Sequence, residues 1–129
     1  MGKWITPTMD VTVLGDRLYK TLTVIEYEAD DGKRYKAPIG TVTNFGSTWG
    51  TLIAAMLDGI AQMACTMHDH NYESGAVSRK KADQLLRESS YAEFIQQGKE
   101  EEEARELADT FYYGVRLFGG RYYNDKGGK

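Results

Sequence analysis

Cys65-Thr66-Met67-His68-Asp69-His70-Asn71-Tyr72-Glu73-Ser74-Gly75-Ala76-Val77-Ser78-Arg79-Lys80-Lys81-Ala82-Asp83 is the stretch on which the fold turns. It reads as the end of one helix, a short connector and the start of another. Upstream, Leu52, Ala55, Met56, Ile60, Met63, Ala64 and Met67 recur at helical spacing, which predicts a helix from Thr48 to about Tyr72, capped by Ser47 or Thr48. Gly75 suits a helix C-terminus and Ser78 an N-cap, so a second helix is expected from about Arg79 to Gln97, broken by Gly98. So short a connector folds the two helices back as an antiparallel hairpin.

Downstream, Glu100 to Glu103 place negative charge where a helix dipole is positive. Ala104, Leu107, Ala108, Phe111, Val115 and Phe118 then form the expected buried stripe of a third helix. Gly119-Gly120 ends it, and residues 124–129 read as a flexible tail. Upstream of the hairpin the chain reads as β structure. Val11 to Leu14 is set off by Asp16-Arg17 from a longer run, Leu18 to Ala29, and Lys33 to Thr43 is the return strand. Asp30-Asp31-Gly32 predicts a tight hairpin with positive φ at both central residues, and Pro38 marks an edge or a strand end. The expected class is therefore α+β: a small antiparallel meander over about 10–45, followed by three helices over about 48–120.

At 129 residues the chain fits one domain able to bury a single core. Its net charge of -3 argues against a duplex nucleic-acid binder, so no nucleic-acid partner is expected. The single cysteine, Cys65, allows no intramolecular disulfide and reads as a small core residue. The N-terminus lacks the apolar stretch of a signal peptide, and Leu52 to Met67 is too short and polar to span a bilayer. Synthesis and folding in a reducing compartment follow as the expectation.

His68 and Tyr72 are four residues apart and share a helix face, while Asp69 points about a quarter-turn away. His68 lies about one turn before the connector and Asp83 about one turn after it, so the hairpin sets them face to face. A carboxylate that takes a proton from one imidazole nitrogen fixes the tautomer and leaves the other nitrogen as a general base. Asp69 beside the pair could bind a hard cation. The same His68–Asp83 contact also reads as a buried polar pair that only sets the register of two helices. His70 reads as solvated, and Met56, Met63 and Met67 as core. Phe45, Trp49 and Leu52 suit either a lipid chain or packing of the meander onto the helices.

The His68-Asp69-x-x-Tyr72 motif, with Asp83 on the following helix and Cys65 before the histidine, resembles the active-site helices of secreted and parvoviral phospholipases A2. Over roughly residues 18–123 the chain resembles the DUF1353 family of phage and bacterial proteins. That likeness runs from Ile39-Gly40-Thr41-Val42-Thr43-Asn44-Phe45-Gly46-Ser47, through the histidine motif and Ser78-Arg79-x-x-x-Asp83, to Tyr113-Gly114-Val115-Arg116-Leu117-Phe118-Gly119. The family resemblance implies a phage-encoded virion or tail-associated accessory protein made in the bacterial host cytoplasm, partnered by phage structural proteins or further copies of itself. The phospholipase resemblance implies a Ca²⁺-dependent acyl-ester hydrolase acting on phospholipid. In that reading His68 deprotonates water, Asp83 orients it, and Tyr72 holds Asp83. Asp69, Asn44 and Gly46 would ligate calcium. The chain departs from both patterns: the glycine-rich calcium loop is not evident, and Asn44 follows Thr43 where the family usually has aspartate.

Overall fold

The structure is a computed structural model that describes residues 2–16, 18–43 and 61–123. The β region comprises β1 (Lys3–Trp4), β2 (Val11–Gly15), β3 (Leu18–Thr21), β4 (Ile25–Glu28), β5 (Arg34–Ala37) and β6 (Val42–Thr43). Among the described residues it is not one meander but two antiparallel three-stranded sheets, ordered β1-β4-β5 and β2-β3-β6. Each of the two long runs expected as a single strand crosses from one sheet to the other. Together they form one long hairpin, β3-β4 against β5-β6, bent midway. The bend is held by Thr21, whose Oγ1 donates to the Pro38 carbonyl at 3.2 Å and whose backbone is bonded to Gly40 and Thr41. Pro38 cannot donate to a ladder, so the break falls there.

The hairpin tip also differs from expectation. Ala29 N–H donates to the Lys33 carbonyl and Gly32 N–H to the Ala29 carbonyl, which makes a three-residue loop. Its last residue, Gly32, takes φ +83°, the left-handed position of a glycine bulge.

The helices among the described residues are α1 (Gln62–Ser74), α2 (Arg79–Gln96) and α3 (Glu101–Phe118), followed by a 3-10 turn over Gly119–Tyr122. Gly75 closes α1 in the left-handed conformation, φ 65° and ψ 16°. Ser78 Oγ caps α2 by accepting from Lys81 N–H. A single helix from Thr48 to Tyr72 is corrected: Ala61, at φ -138° and ψ 66°, is not helical, and α1 begins after it. The proposed caps Ser47 and Thr48 lie outside the described residues, as do Phe45, Trp49, Leu52, Met56 and the tail.

Residues at the start of α1 touch Glu93 near the end of α2, and His68 and Tyr72 touch Asp83 near its start, so the pair is antiparallel. Helix α3 folds back in turn along α2, with Phe94 and Phe111 edge to face at 5.5 Å. The first sheet packs on α2: Trp4 Nε1 donates to the Ser89 carbonyl and Tyr27 hydroxyl to Glu88. Ile25, Tyr27, Ala37, Cys65, Met63, Met67, Leu85, Leu86, Phe94, Phe111 and Val115 are buried in one cluster between these layers. Of the expected α3 stripe, Leu107 is half-buried, and Phe118, at 52% exposed, is outside the core.

Candidate functional site

The antiparallel hairpin does bring the imidazole and the carboxylate together. His68 Nε2 lies 2.9 Å from Asp83 Oδ1, and the Tyr72 hydroxyl donates to the same oxygen at 2.5 Å. Helical spacing explains why: residues four apart project side by side, with the His68 and Tyr72 rings 4.1 Å apart. Asp83 is fully buried and His68 is 2% exposed.

Two arginines that spacing alone did not assign complete the cluster. Arg116 Nη1 donates to Asp83 Oδ2 at 2.7 Å, and Arg79 Nε stands 3.9 Å from the same oxygen. Arg79 Nη2 also donates to the carbonyls of Val115 and Arg116 at 2.8 and 2.9 Å, so it holds the last turn of α3 against the start of α2. Tyr123 packs edge to face on Tyr72 and donates its hydroxyl to the Val77 carbonyl. A hint of Arg79 was available, since it is one helical turn before Asp83. Arg116 arrives from a helix more than thirty residues away, for which no local pattern exists.

Burial pushes the Asp83 carboxyl up, but hydrogen bonds from His68, Tyr72 and Arg116 outweigh it, so its pKa lies below the ordinary value. Asp83 is therefore an anion and can only accept, which puts the proton between them on His68 Nε2. The Tyr72 hydroxyl is raised, by burial first and then by Asp83, and remains a donor.

Asp69 points elsewhere, as expected from its quarter-turn offset, and its Oδ2 accepts from the Thr43 hydroxyl at 2.6 Å. That contact ties α1 to β6. Asn44 and Gly46, expected beside Asp69 as calcium ligands, lie outside the described residues. Among the described residues no three His, Cys, Asp or Glu side chains converge on a possible metal position. His70 is half-buried rather than solvated, and burial lowers its pKa.

A second buried carboxylate escaped the sequence reading altogether. Glu93, 6% exposed, accepts the Met63 and Ala64 N–H groups at 3.1 and 2.9 Å. Burial pushes its pKa up to about 7, against the lowering effect of those two hydrogen bonds. No helix of the described residues is long and apolar enough to cross a membrane.

Fold and site thus define a class: an α+β protein whose helical hairpin encloses a histidine–aspartate pair braced by tyrosine and arginine. Residues 19–113, most of the chain, match the model of a family described as "Protein of unknown function (DUF1353)", and the chain belongs to that family. The match stops short of Gly114 to Gly119, which the resemblance had included. No curated protein and no solved structure matches the chain.

Proposed function

We propose that this DUF1353 protein is a phage-encoded accessory protein of the virion or tail, in which a phospholipase A2-like helix pair serves as a scaffold without turnover. The observation that carries this reading is the closure of the Asp83 network. Both carboxylate oxygens are taken by donors from α1 and α3, and the imidazole is buried with them. Such a network rigidifies a core and specifies its register. Around β2-β3-β6 and its flanking bends, Val13, Leu14, Leu22, Ile39 and Val42 are exposed. Apolar side chains concentrated in this way suit a surface covered by another protein, whether a phage structural protein or a second copy.

Purified particles should contain the protein, detectable by mass spectrometry. The isolated chain should release no fatty acid from phosphatidylglycerol vesicles, with or without millimolar calcium, and calcium should leave its thermal midpoint unmoved. Fatty-acid release that disappears in His68→Ala would overturn the scaffold reading.

A second reading, an acyl-ester hydrolase acting on phospholipid, is favoured by the contact of His68 Nε2 with Asp83 and by Tyr72 bracing the same oxygen. There His68 would take a proton from water, and Asp83 would orient the ring and stabilise the imidazolium. Calcium at Asp69, Asn44 and Gly46 belongs to this reading, and the calcium titration above is its test.

A further inference from the structure

Helix α1 lacks a cap of its own. Ala61 stands at its N-cap with no side-chain hydrogen bond, and the first turn of the helix carries no acidic residue. The first N–H groups of any helix need acceptors from outside it. Here those of Met63 and Ala64 are met by one carboxylate from another helix, Glu93, with an oxygen on each. Glu93 lies near the C-terminal end of α2 and Asp83 near its N-terminal end. The hairpin is therefore fastened at both ends by carboxylates of the same helix, and His68 belongs to the Asp83 fastening.

We propose that Glu93 is a positioning residue: by gripping the uncapped N-terminus of α1, it fixes the axial register that sets His68 against Asp83. The inference goes beyond the scaffold reading and holds whether or not the pair turns over a substrate.

The surroundings of Glu93 make the grip sensitive to protons. Among the described residues its partners are two backbone amides and no cation. Charged groups on the neighbouring elements are engaged elsewhere. On α1, His68 and Tyr72 face Asp83 and Asp69 faces Thr43. Arg105 of α3 lies over the Tyr91 ring, Lys99 over Phe94, and Arg87 pairs with Asp109. Burial without a counter-charge disfavours the Glu93 anion more than the two amides favour it, so Glu93 keeps its proton to a higher pH than an exposed glutamate does.

Amide hydrogen exchange and the imidazole ¹⁵N shifts of His68, followed by NMR at one fixed pH in wild type, Glu93→Gln and Glu93→Ala, test this. Glu93→Ala should lose about tenfold or more in protection at Met63 and Ala64 and displace the His68 imidazole signals. Glu93→Gln, which keeps one acceptor oxygen, should show a smaller change in the same direction. In wild type, the Met63 and Ala64 amide shifts should titrate together with a midpoint near 7. Should Glu93→Ala fail to fold, Glu93→Gln and the wild-type titration decide. Lost protection at Met63 and Ala64 with unmoved His68 signals would reduce Glu93 to a local cap and overturn the proposal. So would amide shifts that stay flat from pH 5 to 8.

Discussion

Asp83 and Glu93 are both carboxylates buried on α2, about three turns apart, yet their surroundings are electrically opposite. Asp83 collects His68, Tyr72 and Arg116, with Arg79 close by, and its pKa falls. Glu93 collects two backbone amides and no cation among the described residues, and its pKa rises to about 7. Burial costs both anions solvation, so the partners decide the sign. One end of the hairpin is thus a closed, charge-balanced clasp, and the other is a clasp that a proton can loosen or tighten.

The largest expected effect is at the balanced end. Asp83→Ala leaves Arg116, Tyr72 and His68 without their common acceptor, which should cost about 3–5 kcal/mol in urea unfolding. A loss below about 1 kcal/mol would mean that the network contributes little to stability. Next comes the pH response of the other end. Folded Glu93 keeps its proton up to about pH 7, whereas an unfolded glutamate releases it near 4.5. Between those values the folded state binds more protons, so stability must fall as pH rises, by up to about 3 kcal/mol. Glu93→Gln should remove that slope. Asp83 acts in the opposite sense: its folded pKa is lowered from 3.8, so its contribution stands above that value and is lost as pH falls through the folded pKa. Stability should therefore peak between the two regimes, near pH 4–5. A wild-type profile that rises steadily from pH 5 to 8 would contradict the contrast.

The smallest effect belongs to the connector between the two clasps. Ser78 caps α2 locally, through Lys81 N–H at 3.1 Å, as Glu93 caps α1 from a distance. Ser78→Ala should cost about 1 kcal/mol and leave the pH profile parallel to that of wild type.

What the sequence could and could not reveal follows the range of the interactions. His68, Tyr72 and Asp83 were found because helical spacing and a short connector are local, and Gly75 and Ser78 carry their capping roles in their own chemistry. The two ends of the hairpin differ in this respect. Arg116 and Glu93 meet their partners across about thirty residues, and the periodicity of either helix gives no sign of it. Glu93 reads as an ordinary helix glutamate until its position opposite the start of α1 is known. The β runs from Leu18 to Ala29 and from Lys33 to Thr43 were recognised as strands, but their bend was not, because it depends on Thr21 meeting Pro38 across the hairpin. The expected helix from Thr48 continued an apolar rhythm through Ala61, where backbone geometry rather than side-chain pattern makes the break. Asp69 was correctly set apart from His68 by its angle, while its partner Thr43 lies on a strand whose register could not be anticipated.

A double-mutant cycle in urea, built from His68→Ala, Asp83→Ala and their combination, probes the clasp itself. If the imidazole and the carboxylate are bonded as the helices place them, the two substitutions should fall short of additivity by about 1–3 kcal/mol. Losses that add to within about 0.5 kcal/mol would show that the two groups do not interact, and the clasp would not exist.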